Sequence, residues 1–249
     1  MKKFALFLAA TLILSACKEK KETTEEPEAA DMAEEMAPAD DWIVLFDGSS
    51  FDGWKGYNQE GIPDAWKLVD GAMVLMPPAE RPEGANYNLV STENYHNFVL
   101  SLEWRISEAG NSGVFWGVEE LEELGQPYET GPEVQVLDNG GHPDAKNGTT
   151  HQAGALYDMV APASDVTRPI GEWNTMELTI DYANEQGKVV LNGTEVVSFP
   201  LGNEAWDTMV ANSKFDGWPG FGKYPNGKIG LQDHGDEVAF RNIKIKLLP

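Results

Sequence analysis

Residues 98–106 have the sequence Phe-Val-Leu-Ser-Leu-Glu-Trp-Arg-Ile, in which apolar and polar side chains alternate. Every even-numbered position is apolar, whereas Ser101, Glu103 and Arg105 fall on odd-numbered positions between them. Successive side chains of a β-strand point to opposite faces, so this alternation predicts a strand with one face buried. The stretch therefore indicates a β-sheet that packs one face against a hydrophobic core.

The segments on either side of this strand have the same character. Residues 188–199 contain two apolar runs separated by Asn192-Gly193, a pair that is favoured in a type I′ turn because both positions need positive φ. Shorter apolar runs occur at 229–231 and 243–247. With 25 Gly and 15 Pro in the chain, no segment of about 12 residues shows a helical stripe. The sequence therefore predicts one all-β domain over 42–249, a two-sheet jelly-roll sandwich with one concave, polar face.

The charge of the chain excludes several classes of function. The 249 residues include 18 Lys and Arg against 41 Asp and Glu, which gives a formal net charge of −23. A protein that binds nucleic acid needs a basic face for the phosphate backbone, so we predict no nucleic-acid partner. No run of about 20 apolar residues is present that would span a bilayer as a helix. An acidic, aromatic-rich domain is suited instead to small neutral ligands such as sugars.

The N-terminus is typical of a bacterial lipoprotein. Lys2 and Lys3 precede an apolar run at 4–14 that is too short to span a bilayer, and Leu14-Ser15-Ala16-Cys17 resembles a lipobox. We therefore predict a signal peptide over 1–16, lipidation of Cys17, and a protein anchored to the membrane in the cell envelope, on its periplasmic or surface side. The alternative is a signal peptide with an incidental cysteine. Because the chain has one cysteine, neither a disulfide nor a thiolate site is expected in the domain.

The segment after this cysteine has the composition of a spacer. Residues 18–41 contain ten acidic residues, three lysines and no aromatic residue. Such a segment cannot bury enough apolar area to offset the entropy lost on ordering. We predict that 17–41 comprise the lipidated cysteine and a disordered acidic tether.

The first candidate site is the segment 132–139, Pro-Glu-Val-Gln-Val-Leu-Asp-Asn. In a strand the two valines would face the core, which places Glu133 and Gln135 on the open face. Asp138 is out of phase with Glu133 and shares its face only if the strand ends or bulges. A retaining glycosidase needs two carboxylates about 5–5.5 Å apart, so an ordinary two-carboxylate glucanase is disfavoured. The alternative is that Glu133 is only a solvated strand residue.

A second candidate site is the segment 230–235, Gly-Leu-Gln-Asp-His-Gly. Its alternation places Gln232 and His234 together on the polar face. A histidine beside acidic residues can serve as a general acid or base, although a hydrogen bond within a turn is the alternative. The Gly- and Asn-rich stretch 139–150, flanked by His142 and His151, predicts a long binding loop.

Aromatic and amide side chains form a third group, in segments 111–116, 154–157, 173–174 and 214–218. Trp and Tyr rings stack on the C–H faces of sugars, while Asn and Gln amides bind the hydroxyls. For any one tryptophan, core packing is the alternative, but eight in the chain favour at least one exposed platform. The candidate substrate-binding residues are Asn111, Trp116, Gln135, Tyr157, Trp173, Lys214 and Gln232.

Two further features bear on structure and on metals. Arg241 precedes Ile243 out of alternation, and we predict a buried ion pair between Arg241 and a carboxylate such as Asp47. Metal signals are weak, because the sequence has no His-x-x-x-His pattern and its Asp/Asn pairs lack a spacing that selects a metal. No cofactor is assigned, and a divalent cation stays an open alternative.

Seven of these segments, in this order, resemble the motifs of the 3-keto-disaccharide hydrolases, a family of bacterial sugar enzymes. Together they cover essentially all of 42–249. They are Leu45-Phe46-Asp47-Gly48 with Gly53-Trp54, Asn111-Ser112-Gly113-Val114-Phe115, Glu133 to Asn139, Gly154-Ala155-Leu156-Tyr157, Gly171-Glu172-Trp173-Asn174, Gly230 to Gly235, and Phe240-Arg241-Asn242-Ile243.

The resemblance implies a concanavalin-A-like jelly roll and an enzyme that cleaves the glycosidic bond of 3-keto-disaccharides or other 3-keto-glycosides. In that chemistry the ketone at C3 acidifies the proton at C2, a base removes it, and the glycosidic oxygen at C1 leaves by elimination. Water then adds to the enone, so the net result is hydrolysis. On this basis His234 or Glu133 would be the base and Asp138 the acid.

The resemblance also implies how the sugar would be bound. Gln135, Gln232 and Asn111 would fix hydroxyls, and Tyr157 or Trp173 would form a wall of the site. A divalent cation on the enolate oxygen is compatible with this chemistry. The competing hypothesis is a non-catalytic carbohydrate-binding lipoprotein of the same fold, which needs the aromatic and amide groups only. An anchored scaffold protein is a third alternative.

Overall fold

The structure, a computed structural model, describes residues 41–249. Within this range the chain forms thirteen β-strands and one α-helix. In chain order they are β1 (Ile43–Phe46), β2 (Trp54–Gly56), β3 (Trp66–Val69), β4 (Ala72–Leu75), β5 (Leu89–Ser91), β6 (Phe98–Ile106), β7 (Asn111–Val118), β8 (Glu133–Leu137), β9 (Asn174–Asp181), β10 (Gln186–Leu191), β11 (Thr194–Pro200), α1 (Glu204–Ala211), β12 (Lys228–Leu231) and β13 (Val238–Leu247). The predicted signal peptide, Cys17 and the tether up to residue 40 lie outside the described residues.

The strands form two antiparallel sheets. The larger sheet has the order β11-β10-β9-β6-β13-β4-β3, with β1 also paired to β13, and the smaller has the order β2-β5-β12-β7-β8. β6 lies between β9 and β13, and its residues alternate between buried and half-buried along all nine positions. This topology confirms the predicted all-β, two-sheet jelly-roll sandwich.

The β10–β11 hairpin forms as its sequence predicts. Leu191 pairs with Thr194 across a two-residue turn. Asn192 has φ 50° and Gly193 has φ 80°, the left-handed conformations that a type I′ turn requires. The turn fixes the register of two strands at one edge of the larger sheet.

The core lies between the two sheets. The apolar face of β6 contributes Phe98, Leu100 and Trp104, and the smaller sheet contributes residues such as Val134 and Ile229. All five are at most 1% exposed. Burial of such side chains stabilises the fold by about 1.5–3 kcal/mol each, so the inner face of the smaller sheet is held firmly against the core. Its outer face is thereby available for polar groups.

The helix α1 is absent from the sequence-based prediction, which expects no helix. Its eight residues bury only Trp206 on the domain, too little to produce an apolar stripe in the sequence. The helix begins where the Asn203 side-chain oxygen accepts a hydrogen bond from the backbone N–H of Trp206 at 3.1 Å. The helix is therefore held by the Asn203 cap and the buried Trp206 ring, neither of which gives a periodic pattern in the sequence.

The predicted partner of Arg241 is wrong. The Arg241 Nε and Nη2 donate to Glu103 Oε2 at 2.8 and 2.7 Å, and the Asn242 amide donates to Glu103 Oε1 at 2.6 Å. Asp47 instead accepts hydrogen bonds from the backbone and hydroxyl of Ser49. β6 and β13 are neighbours in the sheet, and Glu103 lies directly opposite Arg241. The cross-strand register therefore selects the partner.

Over residues 41–249, no helix is both long and apolar enough to cross a membrane.

Candidate active site

A cleft of about 380 Å³ opens on the outer face of the smaller sheet. Strands β7 and β8 and the segment after β12 form its floor, and the loops at 128–131, 157 and 214–221 form its walls. The cleft residues are Asn111, Tyr128, Gly131, Glu133, Gln135, Tyr157, Lys214, Phe215, Trp218, Phe221, Gln232 and His234. Seven of the ten predicted site residues are among them: Asn111, Glu133, Gln135, Tyr157, Lys214, Gln232 and His234.

A glycine makes room for the carboxyl group on the cleft floor. Gly113 of β7 pairs with Gln135 of β8, and its carbonyl accepts a hydrogen bond from the backbone N–H of Gln232 at 2.9 Å. A Cβ atom at Gly113 would overlap the Glu133 carboxyl group, which lies over this position. Glu133, Gln135 and Gln232 are therefore gathered around one bare backbone position, which is the convergence that the strand phases predict.

Three amide oxygens on this floor are buried without a hydrogen-bond partner among the described residues. They are Asn111 Oδ1, Gln135 Oε1 and Gln232 Oε1. An unpaired buried acceptor costs about 1–3 kcal/mol, and such groups are uncommon in folded proteins. Three of them on adjacent strands form a set of acceptors for the O–H groups of a bound ligand.

The environment of Glu133 favours the protonated acid. The residue is 7% exposed. Burial raises the pKa of Glu133 to about 8, and Asp144 adds to this rise, while Lys214 and the Gln232 amide offset part of it. Glu133 therefore holds a proton at neutral pH and can donate it within the cleft.

His234 has the opposite tendency. The residue is exposed at the cleft, but partial desolvation there lowers the pKa of His234 below its ordinary value of 6.5; Asp236 offsets part of this change, and His142 adds to it. The imidazole is therefore neutral at pH 7 and can accept a proton. The carboxylate of the neighbouring Asp233 binds Arg81 and the backbone N–H of Tyr87, and its charge offsets a smaller part of the pKa change of His234. This ion pair fixes the segment that carries both Gln232 and His234.

His142, His234 and Asp236 form the one group of candidate metal ligands found in the part of the chain that the structure describes. One potential ligand atom from each lies within 4.8 Å of the others. The group fits a cation poorly, because His142 Nδ1 accepts a hydrogen bond from the backbone N–H of Asp144 at 3.1 Å. A neutral imidazole that accepts at Nδ1 carries its proton at Nε2 and has no second lone pair for a metal. Asp236 Oδ2 accepts from the backbone N–H of Asn111 at 3.0 Å, and the other oxygen of this carboxylate keeps its lone pairs.

The walls of the cleft differ in chemistry. On one side, the Lys214 Nζ lies 4.0 Å from the centre of the Tyr157 ring. Burial and the neighbouring Asp144 raise the pKa of Tyr157, whose hydroxyl donates to Asp144 Oδ2 at 3.1 Å. The other side is aromatic, with Trp218 packed edge-on against Phe215 at 5.2 Å and 6.1 Å from the Tyr128 ring. The cleft thus has a polar end and an aromatic end.

The prediction that Asp138 is the catalytic acid is not supported by its position. Asp138 lines a different cavity, and its carboxylate accepts from the backbone N–H groups of Ala109 at 2.8 Å and Gly140 at 3.0 Å. β8 does end at Leu137, but this strand end does not bring Asp138 to the side of Glu133, because the turn that follows directs the Asp138 carboxylate to those two backbone groups. Asp138 fixes the turns next to β7 and β8.

The two predicted tryptophan contacts also lie elsewhere. Trp116 is 1% exposed and stacks on Phe199 in the core at 5.7 Å, because it alternates with the cleft-facing positions of β7. Trp173 lies on the outer face of the larger sheet, with the guanidinium groups of Arg105 and Arg241 at 4.9 and 4.0 Å from its ring. Neither residue reaches the cleft.

The cleft also contains residues that the sequence-based prediction does not single out. Tyr128, Phe215, Trp218 and Phe221 come from loops that approach the sheet from distant parts of the chain. Segment 214–218 belongs to the aromatic group in the sequence, which is the signal that points to Phe215 and Trp218. No comparable pattern surrounds Tyr128 or Phe221.

The domain as a whole is similar to known proteins. Residues 41–246 match the model of the 3-keto-alpha-glucoside-1,2-lyase-like domain. A Bacteroides thetaiotaomicron protein named 3-keto-disaccharide hydrolase is 36% identical over 246 residues, which covers 88% of this chain and 83% of that protein. A solved structure of a candidate glycosyl hydrolase from Parabacteroides distasonis has a TM-score of 0.74 at 33% identity, and covers 84% of this chain and 94% of that chain. A second structure from that organism has the same fold. Its TM-score is 0.60 at 24% identity, and the match covers 83% of this chain and 99% of that chain.

Proposed function

The chain belongs to the family of 3-keto-alpha-glucoside-1,2-lyase-like domains, and we propose that it is a hydrolase that cleaves the glycosidic bond of 3-keto-disaccharides and related 3-keto-glycosides. The observation that carries the proposal is one cleft with a buried carboxylic acid, a neutral imidazole and three unpaired amide oxygens. A plain sugar-binding module would need the amides and the aromatic rings. It would not need a buried glutamic acid in the same cleft as a histidine, because burial of a carboxyl group lowers the stability of the fold.

The two titratable groups divide the proton transfers between them. Neutral His234 is the base that removes the proton from C2, and protonated Glu133 is the acid that protonates the departing glycosidic oxygen at C1. The electrons of the C2–H bond form the C2–C3 double bond of an enolate, with the negative charge on the C3 oxygen. When the C3 carbonyl forms again, those electrons form the C1–C2 double bond as the C1–O bond breaks. Water then adds at C1 and a proton returns to C2, which gives two monosaccharides, one of them a 3-keto sugar. Glu133 replaces Asp138 as the acid.

The negative charge on the C3 oxygen needs stabilisation during the elimination. Among the cleft residues, Lys214 is the one lysine or arginine, and its charge reaches Glu133 through the site. We assign Lys214 to the enolate, because its ammonium is held over the Tyr157 ring at the wall of the cleft and can stabilise the developing charge there. No step requires a metal.

The polar and aromatic ends of the cleft separate the two halves of the substrate. Asn111, Gln135 and Gln232 present acceptors to the hydroxyl groups of the keto sugar. Trp218 and Tyr128 present ring faces and edges to the leaving sugar, whose C–H face stacks on aromatic rings. The keto sugar is therefore the half of the substrate that the cleft recognises specifically, through hydrogen bonds to the three amides.

We further propose that the enzyme acts in the bacterial cell envelope, attached to the membrane through a lipid on Cys17. The support is the lipobox-like Leu14-Ser15-Ala16-Cys17 and the acidic spacer that follows. Metabolic labelling with a fatty acid tests this. Label in the wild-type protein that is lost in Cys17→Ser is expected, and equal label in both would refute it.

Incubation of the purified protein with a 3-keto-disaccharide, followed by mass spectrometry of the products, tests the activity. Release of two monosaccharides is expected, with a loss of about 10²–10⁴-fold in Glu133→Gln and in His234→Ala. The matched controls are Glu195→Gln, whose side chain is 55% exposed at the far hairpin, and His96→Gln, at an exposed site. Both should keep full activity. Tight binding of 3-keto-disaccharides without any cleavage would favour the binding module instead.

A further inference from the structure

His151 lies behind the cleft and contacts the groups that hold one of its walls. Its side chain is 13% exposed and does not line the cleft. Its Nδ1 lies 3.0 Å from Asp144 Oδ1, and its Nε2 lies 3.3 Å from Asp158 Oδ1. The ring packs edge-on against Tyr157 with a distance of 4.6 Å between ring centres. Asp144, Asp158 and the Tyr157 ring therefore contact the His151 side chain on three sides.

Each partner of His151 in turn fixes a cleft residue. Asp144 Oδ2 accepts the Tyr157 hydroxyl at 3.1 Å and the Gln135 amide at 3.4 Å. Asp158 Oδ2 accepts the backbone N–H of Lys214 at 2.8 Å. The backbone carbonyl of His151 accepts the Gln135 amide at 3.2 Å. The positions of Tyr157, Gln135 and Lys214 thus all depend on one imidazole.

Both ring nitrogens of His151 face a carboxyl group. Nδ1 lies against Asp144 and Nε2 against Asp158, each within hydrogen-bond distance. The side chains of Asn147 and Tyr157 also donate hydrogen bonds to Asp144, at 2.7 and 3.1 Å. The ring therefore links two acidic side chains that belong to different turns of the chain.

The turn at Asp158 directs its carboxyl group to two partners. Asp158 has φ 61°, a left-handed conformation that aspartate adopts more readily than most residues with a side chain. In this conformation one carboxylate oxygen reaches His151 and the other reaches the backbone N–H of Lys214. The turn therefore connects His151 to the segment that carries Lys214.

We propose that His151, clamped between Asp144 and Asp158, is a positioning residue that sets the Tyr157 and Lys214 wall of the cleft against the keto sugar. The inference rests on the proposed function. His151 itself touches neither substrate nor reacting atoms. It acts by holding Tyr157 through Asp144 and Lys214 through Asp158.

A double-mutant cycle tests the proposal with His151→Gln and Tyr157→Phe. A glutamine amide can donate to one carboxylate but presents its oxygen to the other, so the clamp opens. We expect kcat/KM on a 3-keto-disaccharide to fall about ten- to a hundredfold in His151→Gln, because a displaced wall misorients the sugar. If His151 acts through Tyr157, the double variant loses at least about tenfold less than the product of the two single losses. Losses that multiply would overturn the proposal.

Two controls separate the inference from the proposed function. His96→Gln, at an exposed histidine that contacts the Pro225 carbonyl, should keep wild-type kcat/KM and melting temperature. If the wild-type protein cleaves and His151→Gln matches His96→Gln, the inference fails and the function stands. If the wild-type protein does not cleave, the function fails, and a crystal structure of His151→Gln decides the inference. A displaced Tyr157 hydroxyl and Lys214 backbone support it, and unchanged positions refute it.

Discussion

Replacement of Glu133 by glutamine is expected to stabilise the protein at high pH while it removes activity. Glu133 is 7% exposed, and burial raises its pKa from 4.5 to about 8. Glutamine has nearly the same shape and keeps the polar contacts to Gln232, but it has no proton to lose. The variant therefore isolates the free energy of ionising one buried carboxyl group.

The expected size follows from the pKa of Glu133. A rise from 4.5 to about 8 corresponds to about 5 kcal/mol against the folded state once the group is ionised. The folded state binds the Glu133 proton more tightly than the unfolded state does. The protonated carboxyl group therefore makes its full contribution to stability below about pH 4.5, and this contribution is lost as the pH rises to about 8. Glu133→Gln should therefore match the wild-type protein near about pH 4, exceed it by about 3 kcal/mol at about pH 7, and by up to about 5 kcal/mol at about pH 9.

Urea unfolding at these three pH values, followed by tryptophan fluorescence, measures the difference. Glu195→Gln is the control, because its exposed carboxyl group should give no pH-dependent difference. Equal stabilities of Glu133→Gln and the wild-type protein at all three pH values would show that Glu133 is ionised without penalty. A variant less stable than the wild-type protein at high pH would refute the reasoning outright.

Three further predictions concern the reaction. The pH profile of kcat/KM should be bell-shaped: it falls on the acid side below 6.5 as His234 takes a proton, and on the basic side near 8 as Glu133 loses one. In Glu133→Gln, measured with a nitrophenyl leaving group that needs no acid, the basic limb should disappear, and its persistence would assign that limb to another group. Trp218→Ala should raise KM about three- to tenfold for a disaccharide, because the leaving sugar stacks on this ring. KM for a methyl 3-keto-glucoside, which has no leaving sugar, should not change. Equal effects on both substrates would place Trp218 at the keto sugar. Treatment with a chelator should change the rate less than about twofold, because His142 Nδ1 already accepts a backbone hydrogen bond, and activity restored by a divalent cation would make His234 a ligand.

The floor of the cleft could be predicted from the sequence because strand phase is local information. Alternation around Glu133 and Gln135 in β8, and around Gln232 and His234 after β12, places all four on one side of the smaller sheet. The same alternation puts Asp138 out of phase with Glu133, and the end of β8 at Leu137 does not bring the Asp138 carboxylate into the cleft. β8 and the segment after β12 are about 100 residues apart in the sequence, and they meet because β8 and β12 are the two neighbours of β7 in the smaller sheet.

The walls of the cleft could not be predicted in the same way. Trp173 lies just before β9, and nothing in its neighbourhood tells which of the two sheets β9 joins. Trp116 could have been assigned to the core, since it shares its phase with Val114 in β7. The clamp of His151 by Asp144 and Asp158 forms between turns with no periodic pattern, so only the folded loop shows it.

Hydrolysis of a 3-keto-disaccharide in D₂O tests the central claim most directly. Removal of the C2 proton by His234 and its later return mean that the released 3-keto sugar takes a deuterium from solvent at C2, which mass spectrometry and NMR detect. A blank without enzyme corrects for spontaneous exchange beside the ketone. The account predicts one solvent deuterium at C2 for each bond cleaved by the wild-type protein. Cleavage with the original hydrogen retained at C2 would contradict it, because the bond would then break by direct displacement at C1.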